Sequence, residues 1–405
     1  MDPTQIAALK DWLARQALLG TPAAQIVTRA GEAFNAAGLS LSRLHVGMDA
    51  LHPQVESIGA TWRRAASVQE EAYAHGAFAA IAGESPLFEA VSRARAGSGD
   101  PHSFPMTRYR LDAGEGLEMA LLRQFRAEGA SDYVCFILAF GVDGRVRTGA
   151  RGAAVSFCTD RAGGFTEEEI AAMQAVLPAL GAALRTAAQA AILSSLIDTY
   201  LGREVGRRVL NGEVRRGAVE TIEAAILIAD LRGFTALADE TPGAALTVML
   251  DAYLDCAVGA VEGAGGNVLK FLGDGLIATF AFAREGAGQA CAQALAAAAR
   301  IEADSGAISA ARAAAGAPHS RFDLALHAGA VLFGNVGAAR RLDFTIVGPA
   351  VNEAARLETL CAPLGAPILA SRAFVAACAP AERVVSLGEH ALKGVRAPIE
   401  VFAPV

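Results

Sequence analysis

Residues 267–282 read NVLKFLGDGLIATFAF. Two runs of branched and aromatic residues flank a tight GDG turn, so the stretch predicts two strands turning about Asp274. Upstream, TIEAAILIAD (221–230) predicts a strand ending at Asp230, and a helix follows over about 242–263. Downstream, a second helix is expected near 285–303 and FDLALHAGAVLFGNVG (322–337) supplies more strand. Strand, helix, two strands, helix, strand is the split βαβ pattern. It implies an α+β, ferredoxin-like (βαββαβ) domain, an antiparallel sheet with helices on one face. In that topology the end of the first strand and the central hairpin turn lie side by side, which brings Asp230 and Asp274 to one sheet edge.

Two close carboxylates repel each other, and a hard divalent cation between them removes the conflict. Mg²⁺ suits such a place, because it accepts one or two carboxylates and completes its shell with water and substrate phosphates. Gly273 and Gly275 allow the tight turn and leave room beside a bulky anion. Arg232, Gly233, Phe234 and Thr235 then open a helix whose free amides suit phosphate oxygens. Taken singly, Asp230 has an ordinary use as a helix cap and Asp274 as a turn residue. Their joint position points instead to a nucleoside triphosphate and a metal.

The stretches IADLRGFT (228–235), NVLKFLGDGLIATF (267–280), LHAGAVLFGNVG (326–337), DFTIVGPAVNEAARLE (343–358) and LKGV (392–395) resemble, in order, the signatures of class III nucleotidyl cyclases. The resemblance covers about 220–405. It implies conversion of a nucleoside triphosphate to the 3′,5′-cyclic monophosphate and pyrophosphate, with two Mg²⁺ or Mn²⁺ ions per site at the interface of a head-to-tail homodimer. By the same resemblance Asp230 and Asp274 are the metal ligands, and Lys270 and Thr345 read the base. Asn352 and Arg356 orient the ribose and stabilise the transition state, and Lys393 holds the terminal phosphates. The residue types fit these roles: Asn352 and Arg356, four apart, share one helix face, and a guanidinium offers a planar fork to developing charge. Lysine donates and never accepts, so Lys270 suits the bare N1 of adenine better than the protonated N1 of guanine. ATP is therefore expected, with a guanylate or dual-specificity cyclase, or a nucleotide-binding module without turnover, as alternatives. Thr345 stands where many adenylyl cyclases carry aspartate and is similar to the class IIIb subgroup, several of whose members respond to bicarbonate.

The first half opens with a helix marked by Ile6, Leu9, Trp12 and Leu13, a second over about 22–37, and a strand at LSRLHVG (41–47). From about 50 to 115 the periodicity fades among Gly and Pro, which predicts long loops. YVCFILAFGVDGRVRTGARGAAVSFCTD (133–160) predicts a hairpin turning at Asp143 and Gly144. GGFTEEE (163–169) then starts a long amphipathic helix, with Thr166 and Glu169 at capping-box spacing. This ending resembles GAF-type sensor domains, and it implies an α/β regulatory domain over 1–186 that takes a small-molecule effector; a scaffold for a protein partner is the alternative. His45, His52, His75 and His102 lack paired ligand spacing and are expected as core or surface residues, and Cys158 as a packed strand residue. A helical linker over 187–219 joins this domain to the catalytic one at 220–405. Its apolar seam is expected to pair with its twin, and its basic cluster is Arg203, Arg207, Arg208, Arg215 and Arg216.

The 405 residues, 53% of them hydrophobic, suffice for two domains. The longest uncharged Ala-rich run, 171–184, falls short of the roughly 20 apolar residues that a membrane crossing needs, so no membrane insertion is expected. No basic start followed by an apolar block is visible, and six scattered cysteines without a CxxC pair favour reduced thiols, so a cytoplasmic protein is expected. A net charge of −7 argues against nucleic-acid binding.

Overall fold

The structure is a computed structural model that describes residues 2–77, 84–96, 104–140, 152–378, 384–394 and 398–404. The chain forms two compact units, Met1–Leu196 and Ile197–Val405.

In the first unit, α1 (Pro3–Leu19) and α2 (Ala23–Ala36) precede β1 (Leu41–Asp49), β2 (Val55–Arg63) and β3 (Ala66–Ala74). Then follow α3 (Pro86–Ala96), β4 (Met106–Arg110), α4 (Ala120–Ala127), β5 (Asp132–Ala139), β6 (Gly152–Thr159) and α5 (Glu167–Leu201). The strands make one antiparallel sheet in the order β3-β2-β1-β6-β5-β4. Alternation sorts its faces. Leu44, Val46, Phe136 and Phe157 join Leu13, Phe34, Met173 and Leu180 from α1, α2 and α5 in the main core. On the other face, Ala90, Leu122 and Phe125 from α3 and α4 pack on Tyr133, Cys135 and Cys158. At the start of α5 the Glu169 amide donates to Thr166 Oγ1 at 3.3 Å and the Thr166 amide donates to Glu169 at 2.8 Å, a capping box.

The stretch expected as long loops holds β2, β3, α3 and β4. β3 carries no signal because, at the sheet edge, it exposes most of its side chains and needs no apolar alternation. The turn expected at Asp143 and Gly144, like His102, lies outside the described residues, but the two strands pair in register, Ala139 opposite Gly152.

In the second unit α6 (Arg203–Leu210), β7 (Val219–Leu231), α7 (Phe234–Glu240), α8 (Gly243–Gly263), β8 (Asn267–Leu272) and β9 (Gly275–Ala281) come first. After a short turn of helix, α9 (Phe282–Glu285), follow α10 (Ala287–Ala314), β10 (Phe322–Ala338), β11 (Arg341–Val347) and α11 (Pro349–Glu358). The chain ends with α12 (Cys361–Leu364), β12 (Ile368–Ser371), α13 (Arg372–Ala377), β13 (Val384–His390) and β14 (Ile399–Pro404). The sheet order is β13-β14-β12-β10-β7-β9-β8, with β11 paired to β10. Its central run β10-β7-β9-β8 has the ferredoxin-like order and is antiparallel throughout.

Helices lie on both faces of this sheet, which corrects the expectation of one. Ala225, Leu227 and Ala229 pack beneath Met249 and Tyr253 of α8 and Ala290 and Ala294 of α10. The alternate residues Ile226 and Ile228 meet Ala350 and Ala354 of α11 and Val205 of α6. The chain beyond β10 returns across the second face, where strand residues buried on both sides await a cover.

Residues 187–201 continue α5, and Gly202 at φ 79° follows its end. The basic cluster beyond is partly consumed by the second unit. Arg208 pairs with Glu220 at 2.7 Å and its guanidinium lies 4.9 Å over the Phe333 ring, while Asn335 donates to the Glu213 carbonyl at 2.7 Å. By length and composition both α5 and α8 are apolar enough to cross a membrane, which corrects the expectation drawn from uncharged runs. Each lays a buried stripe on its sheet, Met249, Tyr253, Ala257 and Val261 in α8, and Met173, Leu177, Leu180 and Leu184 in α5.

The β7–β9 contact is closest at Gly275, where a Cβ would lie 2.2 Å from the Ala229 carbonyl oxygen and 3.1 Å from Asp230 Cα. Gly275→Ala should therefore cost about 1–3 kcal/mol through overpacking, read as a lower urea midpoint. Gly273→Ala meets no atom within 4 Å and should cost only the left-handed backbone term, about 1 kcal/mol at its φ of 72°.

Candidate active site

Asp230 is the penultimate residue of β7, and Asp274 sits in the β8–β9 turn. Because Ala229 pairs with Leu276, the next step along β7 brings Asp230 against Gly275 and its neighbour Asp274. The same register sets Asp323 of β10 directly opposite Asp230. Like charges directly opposite on neighbouring strands are destabilising. Arg232, two residues beyond Asp230, answers part of this by forming an ion pair with Asp323. Among the described residues Asp230, Asp274 and Glu358 have no ion-pair partner.

Burial, then the charges of Asp274 and Asp323, push Asp230 up to about 6. Burial also raises Asp274, against hydrogen bonds from its own amide and that of Leu231. Glu358, in the last turn of α11, is pushed up to about 7 by burial and then by Asp230, Asp323 and Asp274. Burial is the first cause for all three, and for Asp230 and Glu358 the neighbouring acids add to it. This donor chemistry fits a hard divalent cation. Among the described residues no group of three or more His, Cys, Asp or Glu side chains is arranged to hold an ion, so the acids fit one whose shell is completed by water and ligand oxygens.

Gly233, at φ 68°, stands at the N-cap of α7, where no side chain caps the helix. Thr235 is exposed and Phe234 rests on the core beneath. The first amides of α7 are therefore open beside the acids.

The remaining residues singled out in the sequence lie apart from this cluster. Lys270 faces the same side of the sheet as Ile277, its partner in register, and its Nζ donates to Asp343 at 3.0 Å. Thr345 follows two residues later on β11, on the same side as Asp343, and is buried. Asn352 and Arg356 occupy successive exposed turns of α11, and neither side chain has a hydrogen-bond or ion-pair partner among the described residues. Neither acid neighbouring Arg356 in sequence engages it: Glu353 lies 3.6 Å from His327 Nε2, and Glu358 faces the acid cluster. Lys393 is exposed after β13, beside the buried Leu392.

Asp323, Glu358 and Asp343 are additions that the motifs do not single out. Two carry a faint signal. Asp323 interrupts an apolar strand, and Glu358 places a carboxylate at a helix C-terminus, where the helix dipole opposes it.

Comparison with known proteins adds a second line. Adenylate cyclase 1 of Rhizobium meliloti (strain 1021) is 30% identical over 211 residues, 51% of this chain and 31% of that protein. The adenylate cyclase of Anabaena cylindrica is 30% identical over 161 residues, 39% of this chain and 31% of that protein. The chain thus spans about a third of the length of these curated relatives. Among solved structures, the adenylyl cyclase CyaB from P. aeruginosa covers 46% of this chain and 95% of its own, with 26% identity and a TM-score of 0.43. No family model matches the chain.

The acids also set a pH dependence. The folded-state value of Asp230 lies above its ordinary 3.8, so between there and about 6 the native state holds more protons than the unfolded state. Stability should fall as pH rises through that window. In metal-free protein Asp230→Asn should flatten this part of the melting-temperature profile, and Mg²⁺ at pH 7.5 should raise the melting temperature of the wild type but not of the variant.

Proposed function

We propose that the second unit is a class III nucleotidyl cyclase domain and that the chain is an adenylate cyclase, converting ATP to 3′,5′-cyclic AMP and pyrophosphate in a homodimer. The observation that carries this is the Asp230–Asp274 pair, two uncompensated acids held together at the sheet edge beside the open amides of Phe234 and Thr235. The similarity to proteins named adenylate cyclases supports it.

On this reading Asp230 and Asp274 hold Mg²⁺ or Mn²⁺, two ions per site. When bound, such ions make the ribose 3′-hydroxyl a better nucleophile and neutralise charge on the α-phosphate and departing pyrophosphate. The protein's own groups do the rest. The Lys270 ammonium leaves Asp343 to donate to adenine N1, and the Thr345 hydroxyl accepts from the exocyclic amine. Asn352 orients the ribose, and Arg356 sets its fork against the α-phosphate as the 3′-oxygen attacks and pyrophosphate leaves. Lys393 and the amides after Gly233 hold the terminal phosphates.

A second copy of the chain brings the two sets of residues together. Lys270 engages Asp343 and not Asp230 or Asp274 of its own chain, and Asn352 and Arg356 stand exposed without side-chain partners among the described residues, which fits groups that act in a partner's cleft. The first unit is proposed as a GAF-like regulatory domain, with α5 and α6 as the transmitting segment over 187–219. None of the six cysteines forms a disulfide, which fits a cytoplasmic protein.

Purified protein with Mg²⁺ or Mn²⁺ should release cyclic AMP and pyrophosphate from ATP faster than cyclic GMP from GTP; absence of both cyclic products rejects the reading. Asp274→Ala should lose at least about 100-fold in turnover while keeping the wild-type circular dichroism spectrum. Lys270→Glu with Thr345→Cys should shift preference toward GTP. Mixing inactive Asp274→Ala with inactive Arg356→Ala chains should restore about a quarter of wild-type activity, since about half the dimers are mixed and each mixed dimer has one intact site. No recovery on mixing would exclude a site shared between copies.

A further inference from the structure

On the face of the first unit's sheet that α3 and α4 cover, the part formed by β1 and β2 is polar. Arg43 and His45 of β1, Ser57 and Thr61 of β2 and Ser156 of β6 share that face, with His45 in register with both Thr61 and Ser156. Solvent normally takes such a face. Here Leu87, Phe88 and Val91 of α3 and Leu121 and Phe125 of α4 line the opposite wall of a cavity of about 410 Å³, within the range of small-ligand pockets. Its floor is left bare by Gly47 and Gly59, direct partners across β1 and β2. A Cβ at Gly59 would come within 3.1 Å of the His45 ring, and one at Gly47 within 3.4 Å of its Nε2.

Two polar groups lining this cavity lack the partners that burial demands. Arg43 Nε and Ser57 Oγ are buried without a hydrogen bond. Each such group has given up its hydration without a hydrogen bond in return. The Arg43 guanidinium lies 4.8 Å over the Phe125 ring and donates from Nη1 to Ser156 at 3.3 Å, and among the described residues no carboxylate pairs with it. Arg63, in contrast, has Glu128 at 2.9 Å. His45 adds no charge, since burial and Arg43 hold its pKa down to about 3, and its Nδ1 is hydrogen-bonded to Thr61 Oγ1 at 2.8 Å.

The two unsatisfied donors stand at opposite ends. Arg43 pairs in register with Arg63, whereas Ser57 pairs with Asp49 six residues further along β1, and the Arg43 side chain spans part of that interval. Glu56 and Glu71 also line the cavity, each already accepting a hydrogen bond, from the Gly76 amide and the Tyr73 hydroxyl. They repel a second anionic group. A side fork of Nε and one Nη matches the two oxygens of a carboxylate.

We propose that this cavity binds an elongated organic monocarboxylate with an aromatic or branched apolar body, its carboxylate on Arg43 and a hydroxyl or amine at its far end on Ser57. The body lies between the bare glycine floor and Phe88, Val91 and Leu121. This site stands on the first unit alone and does not depend on the reaction assigned to the second.

Isothermal titration of the full chain with phenylacetate, indole-3-acetate and 3-(4-hydroxyphenyl)propionate tests it. At least one acid should bind, its primary amide should bind about tenfold or more weakly, and Arg43→Gln should remove the difference between acid and amide. Ser57→Ala should weaken the hydroxylated propionate and leave 3-phenylpropionate unchanged. No binding of any of the three acids at millimolar concentration overturns the proposal, as does equal affinity for acid and amide. The acid-to-amide comparison uses wild-type protein, so it decides even where Arg43→Gln fails to fold. Titration needs no turnover, so it and the cyclase assay fail independently.

Discussion

Repulsion between Asp230 and Asp274 is the constraint around which the second unit is arranged. Strand pairing places the two acids side by side, and nothing about the acids themselves favours that. What holds them is the sheet behind them: Ile226 and Ile228 are locked between β9 and β10, and Tyr253, Phe280 and Phe322 fill the opposite core. The Tyr253 hydroxyl fixes the approach to β10 by donating to the Ser320 carbonyl at 2.6 Å and accepting from the Ser320 amide at 3.0 Å. Core packing of this kind supplies far more free energy than one pair of like charges removes. The acids are therefore held together by the fold itself, and the proposed cation would relieve a conflict already built in.

Asp323 shows how far the arrangement is tuned. Set directly opposite Asp230, it would add a third full charge to the cluster, but Arg232 is committed to it. One cation thus cancels one acid and leaves Asp230, Asp274 and Glu358 without an ion-pair partner among the described residues. The positive groups that a triphosphate would need are kept elsewhere on the same chain, Lys270 on Asp343 and Arg356 facing outward. Separation of opposite charges that would neutralise each other within one chain is what a site shared between two copies requires.

In the βαββαβ core of the second unit the order of strands and helices was legible from alternation and length, and the meeting of Asp230 with Asp274 followed from topology. Asp323 and Glu358 were not, because their nearness depends on the register of β7 against β10 and on where α11 crosses the sheet, neither of which a short pattern encodes. α11 itself lies on the unexpected face because a six-element pattern says nothing of the chain after its last strand. β3 is silent for a different reason: an exposed edge strand has no buried side to pattern. Arg208 reads as one of a basic cluster, yet Glu220 on β7 and Phe333 on β10 claim it.

The two units share one physical logic with the sign reversed. Among the described residues, in the first a guanidinium faces a roofed cavity with no carboxylate paired to it, and in the second carboxylates crowd an edge with Arg232 paired to one of them. A chain in which only 19% of residues are charged has little need to bury any of them unpaired. Satisfying Arg43 with an acid on α4, or replacing Asp274 by asparagine, would remove each penalty by a single substitution, as ordinary drift toward stability favours. Unmatched charge in the cavity of the first unit and at the sheet edge of the second is what the two proposed partners, an anion and a cation with its phosphates, would relieve.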